Sequence, residues 1–399
     1  MLAMALLPLV LGVERPVHTR AGILPVEVLD QLTRRGDVAL IESRPDSGCR
    51  QVMLLSRFEQ SPERVFEAFV DIQSYPEAMS VLSSITVLDQ DDGLLAYRWL
   101  ASIPPVIRLT GVRLQRAKRP VLIEVRGHSG HLRGTRERIE FYPVPGGTLV
   151  ALYRGLDVDT GGWLVRAFMG IDPSMEQGLT LASLMIHMNG IRRRLDPDPE
   201  QRTDSFAESG PRPSLHSLGL GTTSLPHEAV APMLELGTLA LIESTDAGRV
   251  RQVALLTSVE APSTRVREVV AAPQRYPEFI SSLKDQSAEL RADGSLDLTW
   301  HIKVPMVSMK GTSRMDFLDD GSIEVRTTSG DIADGLWRWE FHSVGEERSI
   351  PVLYVYHDLR KSSFVTGLLL EAEPLLEHGM VGASGAIALS SMKTRAETR

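Results

Sequence analysis

Cysteine and asparagine are almost missing from this 399-residue chain. The lone Cys49 excludes an intrachain disulfide and a cysteine-rich zinc site, and leaves the redox compartment open. Asn189 is the single asparagine, and Gly190 and Ile191 after it rule out an N-glycosylation sequon. Lysine is scarce beside arginine, a bias of genomic base composition rather than of function. An apolar run of the roughly 18 residues needed to span a bilayer is also lacking, since the opening MLAMALLPLVLG reaches only about a dozen. That opening has the length of the apolar centre of a secretory signal. No Lys or Arg precedes it and no A-x-A site follows, so residues 1–22 read as an apolar leader compatible with an exported or a cytoplasmic protein.

Motifs of metal and cofactor chemistry are missing as well. The ten histidines show no H-E-x-x-H or paired spacing, and neither a metal nor a cofactor is expected. GHSGH and GASGA lack the final Gly of a G-x-S-x-G elbow, and GLGTTS is neither a dinucleotide nor a phosphate loop. With a net charge of -8 and basic residues scattered among acidic ones, a nucleic-acid partner is disfavoured.

What the chain does have is an internal repeat, offset by about 201 residues. GDVALIES (Gly36 to Ser43) meets GTLALIES (Gly237 to Ser244), and RQVMLLSRFE (Arg50 to Glu59) meets RQVALLTSVE (Arg251 to Glu260). SYPE at Ser74 meets RYPE at Arg275, and Trp99 and Pro104 meet Trp300 and Pro305. After a one-residue slip at Gly111 and Gly311, EVRGHSG matches EVRTTSG and RIEF matches RWEF. The original frame then returns with Tyr153, Asp157 and Pro173 against Tyr354, Asp358 and Pro374. Residues 23–196 and 226–396 are therefore expected to be two complete domains, separated by a Pro-, Gly- and Ser-rich flexible linker over 197–225.

Within each copy a short helix near Pro25 or Pro226 precedes two apolar strands. A helix follows at SPERVFEAF or APSTRVREVV, with Pro near its start. Tyr-Pro-Glu opens a second short helix. Residues 84–158 and 285–359 read as antiparallel meanders with turns at DDG, PVPGG and ADG. Each copy ends in a long helix, broken near Asp172-Pro173 or Glu373-Pro374; in the first, Met175, Leu179, Leu184, Met185, Met188, Ile191 and Leu195 form its apolar stripe.

This order, together with RVFEAFVDIQSYPEAMSVLSSITVLD and TRVREVVAAPQRYPEFISSLKDQSAEL, resembles the polyketide cyclase/coenzyme Q-binding branch of the START-like (SRPBCC) superfamily. The resemblance implies an α+β fold of two tandem helix-grip domains, each a curved antiparallel sheet wrapped around a long C-terminal helix. It also implies an internal cavity for a lipid, quinone or polyketide-like molecule. The expected function is binding or transport of such a hydrophobic small molecule, with transient membrane contact compatible and catalysis not favoured. An aromatase/cyclase-type enzyme and a protein-interaction module with filled cavities are the rivals. No catalytic signature carries over.

Strand parity nominates the lining residues. Leu95, Tyr97 and Trp99 share a face, as do Leu296, Leu298 and Trp300, and both tryptophans are expected to point inward. Tyr153 and Tyr354 are candidate lining residues, with Asp157 and Asp358 expected to be solvated or strand caps. Tyr75 and Tyr276 sit near one mouth, with hinge packing the plainer role. On VLIEVRGH the apolar Val121, Ile123 and Val125 are expected inside, leaving Glu124, Arg126, Arg138 and Glu140 as an outer ladder worth little individually. Gly379, Gly382 and Gly385 recur every third residue in the last helix, either to leave space or to pack against the other copy.

Overall fold

The computed structural model describes residues 26–44, 48–91, 93–103, 107–160, 175–195, 215–223, 225–245, 249–304, 307–359 and 376–398, with a few single positions between them. The apolar leader, the Pro104 and Pro305 turns, the Asp172-Pro173 break and the linker before 215 lie outside the described residues.

Each half is built in the same order. α1 (Val26–Thr33) leads into the antiparallel pair β1 (Asp37–Ser43) and β2 (Cys49–Phe58). Ser61 caps α2 (Pro62–Val70): its hydroxyl accepts the Arg64 amide, Pro62 fills the first turn, and Val65, Phe66, Ala68 and Phe69 face inward. Tyr-Pro-Glu forms α3 (Tyr75–Ala78). Six strands meander back and forth: β3 (Leu82–Asp91), β4 (Leu94–Ile103), β5 (Ile107–Lys118), β6 (Leu122–Gly130), β7 (Arg136–Val144) and β8 (Gly147–Gly155). α4 (Met175–Leu195) closes the half.

The second half repeats this with α5 (His227–Leu234), β9 (Thr238–Ser244), β10 (Val250–Leu256) and α6 (Ser263–Val270). Its Tyr-Pro-Glu segment is a 3-10 turn, Pro273–Glu278. The strands β11 (Leu283–Leu290), β12 (Leu296–Val304), β13 (Val307–Phe317), β14 (Ile323–Gly330), β15 (Ala333–Ser343) and β16 (Ser349–Asp358) then precede α7 (Leu376–Glu397). Each half is thus an antiparallel sheet with a long closing helix, the α+β helix-grip arrangement.

The two sheets are not separate. β1 and β9 pair antiparallel about Ala39 and Ala240, fusing both halves into one 16-stranded sheet whose strand order is symmetric about that pair. One face carries the main core. There Leu181, Leu184, Met185, Met188 and Ile191 of α4 and Val381, Ala386, Leu389 and Met392 of α7 meet inward residues such as Val52, Leu152, Leu255 and Leu353. Each such Val, Leu, Ile or Met side chain, fully buried, contributes about 1.5–3 kcal/mol. The closing helices also pack on each other. A Cβ on Gly178 would fall under 3.0 Å from Ala383, and one on Gly379 under 3.0 Å from Ala182, so paired Gly-x-x-x-Ala segments bring the helices together. Gly379 and Gly382 pack against the other half, and Gly385 against Leu255 and Val355 of its own sheet.

The opposite face is covered too. Leu29 and Leu32 of α1, Val230 and Met233 of α5, and Leu218, Leu220 and Leu225 form a second core over Leu40, Met53, Leu239 and Ala254. Residues 215–223 and 225, expected to be flexible, are pinned there: the Leu218 amide donates to the Tyr354 hydroxyl at 2.9 Å, and Gln252 bonds both backbone groups of His216. Their leucines supply the apolar contacts that Pro, Gly and Ser content alone conceals.

Candidate functional site

The inner face of the first half gathers charged and aromatic side chains beneath α4. Tyr97 and Trp99 of β4 point inward, buried in the main core, as parity predicts. On β7 the same rule turns Glu137, Ile139 and Phe141 inward, and on β8 Val150, Leu152 and Arg154. Glu137 and Arg154 are register partners across β7 and β8, and both are buried. Arg154 Nε donates to Glu137 Oε2 at 2.7 Å, Nη2 also bonds that carboxylate, and Nη1 donates to Ser183 Oγ at 2.8 Å.

α4 delivers the third member, His187, one turn beyond Ser183. Its Nδ1 lies 3.0 Å from Arg154 Nη2 and its Nε2 3.1 Å from the Tyr75 hydroxyl, which donates to the Phe69 carbonyl at 2.7 Å. Burial pushes the His187 imidazole below its usual range despite the opposing Glu137, so it is neutral. With the Tyr75 proton committed to Phe69, consistency puts the imidazole hydrogen on Nε2 and leaves Nδ1 to accept from Arg154. Burial alone would raise the Glu137 carboxyl, yet the Arg154 guanidinium, with Arg113 adding to it, overcomes this and holds the group well below the carboxylate range.

Arg113 on β5 is left over. It lies over Trp99, 5.2 Å from the ring centroid, and beside the Tyr97 hydroxyl, and no ion pair satisfies it among the described residues. Burial raises the Tyr97 phenol, with Arg113 opposing, so the phenol keeps its proton. The interior therefore holds two guanidiniums against one carboxylate, an excess of one positive charge.

The second half has none of these charges on its inner face. In aligned register Trp337 replaces Glu137, Val355 replaces Arg154, Ala388 replaces His187, Ser313 replaces Arg113 and Leu298 replaces Tyr97. Trp300 points inward like Trp99, but its Nε1 donates to Ser313 Oγ at 2.9 Å. The polar groups of this half's inner face are Ser313, Thr327 and His357, the last buried against Trp337 with ring centroids 4.9 Å apart. Desolvation pulls its pKa down to about 4 from 6.5. The neutral imidazole therefore contributes stability above pH 6.5 that is lost as pH falls toward 4, up to about 3 kcal/mol. Urea unfolding across that window should show the loss in the wild type and a flatter profile in His357→Leu; parallel profiles would disprove it.

The other nominated residues fall elsewhere. Tyr153 and Tyr354 are fully buried in the second core, on the far side of the sheet from the closing helices, so they do not line the interior. Strand β8 is apolar on both faces, which is why parity did not reveal the side. Asp358 is buried near Arg249, at 3.6 Å, rather than solvated. Tyr75 and Tyr276 tie their turns to the helices before them: their hydroxyls donate to Phe69 and Val270 carbonyls at the ends of α2 and α6, at 2.7 and 2.5 Å. Ile123 and Val125 face inward, Val121 is exposed, and Arg138 bridges Glu124 and Glu140 on the outer face.

No helix among the described residues is long and apolar enough to cross a membrane. No family model matches the chain, and no curated protein matches it. Among solved structures it is similar to the Zhui aromatase/cyclase from Streptomyces sp. R1128, at 23% identity and TM-score 0.33, over 37% of this chain and 94% of that one. A START superfamily protein from Mycobacterium smegmatis matches at 14% identity and TM-score 0.31, over 37% and 97%. The di-domain ARO/CYC StfQ from the steffimycin biosynthetic pathway matches both halves together, at 11% identity and TM-score 0.29, over 86% of this chain and 98% of that one.

Proposed function

We propose that the first half binds a hydrophobic small molecule carrying an anionic or carbonyl oxygen, with Arg113 as the anchor and Tyr97 and Trp99 beside it. The observation that supports this is the charge balance. Glu137 is bonded by Arg154, so two guanidiniums face one carboxylate and a positive charge at Arg113 is left without an ion-pair partner among the described residues. A half-buried guanidinium favours an oxygen acceptor, because a charged donor bonds it more strongly than a neutral one and the apolar surroundings weaken competition from water. The acids, quinones and polyketide-like chains that fit all combine an apolar body with such an oxygen.

Catalysis of a cyclisation is the second reading, and the pairing of guanidinium and phenol favours it, since two donors could polarise one carbonyl. It needs a base as well. His187, the neutral imidazole of the cluster, has Nδ1 occupied by Arg154 and Nε2 facing Tyr75, so its lone pair is not offered to a substrate. Binding is therefore the leading function.

The test is calorimetric titration of the full chain with 2-naphthoate and with naphthalene. Charge-assisted hydrogen bonds are worth about 1.5–3 kcal/mol, so Arg113→Met should weaken 2-naphthoate roughly 10- to 100-fold and leave naphthalene unchanged. Equal loss for both probes, or none, would remove Arg113 as anchor. Conversion of a linear poly-β-ketone to an aromatic product, abolished by Arg113→Met, would establish the second reading instead.

A further inference from the structure

We propose that the second half is a separate binding site for an uncharged, largely apolar molecule bearing a single hydroxyl, which hydrogen-bonds His357. This goes beyond the Arg113 site, on different residues and with a different ligand class.

Three observations carry it. The first is His357 itself. It stands on β16 in the same parity as Leu353 and Val355 of the main core, so its ring lies on the inner face, and it is 2% exposed. Its Nε2 is buried with no hydrogen-bond partner among the described residues. Leaving such a group unmet costs about 1–3 kcal/mol, a penalty that a ligand hydroxyl would remove. The equivalent position in the first half is Leu156, so the histidine is not a requirement of the fold.

The second is the layout of apolar groups. Trp300, Leu283 and Ile332 form a small cluster beside the main core, with partly buried Tyr276, Ile280, Ile302 and Met309 around it and Tyr276 and Ile280 shared with the main core. In the first half Trp99 belongs to the main core instead. Gly335 connects this cluster to the histidine, since a Cβ there would meet the Thr327 hydroxyl at 2.7 Å, Ile332 at 3.2 Å and His357 at 3.5 Å. Trp300 belongs to this cluster and Trp337 packs on His357, while Tyr276 and Ile280 touch both the cluster and the main core.

The third is the loss of every charge that marks the first site. Glu137, Arg154 and Arg113 are matched by Trp337, Val355 and Ser313. An anion would find no counter-charge here, and its desolvation would go uncompensated. A neutral imidazole offers one donor and one acceptor, and a hydroxyl can use either.

The experiment follows the imidazole nitrogens of the full chain by NMR with 15N-labelled histidine, the His357 signals being assigned by their loss in His357→Leu. Titration with 2-naphthol should shift the His357 resonances to saturation, and calorimetry should show His357→Leu weakening 2-naphthol about tenfold, one hydrogen bond's worth, with naphthalene unaffected. 2-Naphthoate should leave the His357 resonances unmoved. The inference is overturned if 2-naphthol leaves His357 unperturbed, if His357→Leu binds it as well as the wild type, or if 2-naphthoate shifts His357 as strongly. The Arg113→Met variant should retain the His357 response, so failure of either site is seen independently of the other.

Discussion

Glu137→Gln destabilises the protein by about 3–5 kcal/mol in urea unfolding, and adding Arg154→Met to it restores most of the loss. The carboxylate is buried, and Arg154, which it neutralises, is buried beside it. Removing the carboxylate strands a guanidinium in the interior, where its desolvation has no compensation. Removing both partners leaves an apolar patch, which the fold accommodates: Trp337 and Val355 occupy the same register in the second half. A double-mutant cycle should therefore return a coupling of at least about 2 kcal/mol. Additive losses, or a Glu137→Gln variant within about 1 kcal/mol of wild type, would mean that the pair is not closed in solution.

The same reasoning explains why Arg113 is suited to a ligand and Arg154 is not. Arg154 spends its donors on Glu137 and Ser183 and packs against His187, so it positions the helix on the sheet. Arg113 spends its charge on a tryptophan face and a phenol, neither of which cancels it. A cation–π contact is worth about 0.5–2 kcal/mol, well short of a buried ion pair, so an entering anion improves on it.

Much of the scaffold was legible in the sequence, because both halves encode it twice. The Gly36 and Gly237 strands, the Tyr-Pro-Glu turns and the inward Trp99 and Trp300 are matched positions, and parity placed the tryptophans correctly. The site was not legible by the same method. Glu137, Arg154, His187 and Arg113 have no like residue in the second half, so a search for what the copies share passes over them. The usable signal was the reverse: five aligned positions change together from polar or charged to apolar or small, four on inward strand parity and His187 on the closing helix. Tyr153 and Tyr354 failed for another reason. They are matched and buried, but their strands are covered on both faces, and the second core depends on α1, α5 and residues 215–223 and 225 crossing the sheet junction. No local pattern reports that crossing. The strand pairing of β1 with β9 is equally invisible, since each ALIES strand already has a partner within its own half.

That junction sets the second large effect. Gly36→Val combined with Gly237→Val should open the sheet between the halves and cost well over 3 kcal/mol. A Cβ on Gly36 would fall under 3.0 Å from the Ile242 carbonyl, and one on Gly237 under 3.0 Å from the Ile41 carbonyl. Both obstacles are backbone atoms of the paired strand, which cannot rotate aside as a side chain could. Conformation is not the issue, for neither glycine has a positive φ; close approach is. The loss reaches both cores, because Ala39, Ile41, Ala240 and Ile242 feed the main one and Val38, Leu40, Leu239 and Leu241 the other. Hydrogen exchange should report the change directly: amides of Val38–Ile41 and Leu239–Ile242 that pair across the junction lose protection first, while amides of β5 and β13, remote from it, keep theirs until global unfolding. Single Gly→Ala changes should show the same pattern more weakly. Unaltered protection at the junction in the double valine variant would mean that the halves do not share one sheet in solution, and the closing helices and the second core would then hold them together.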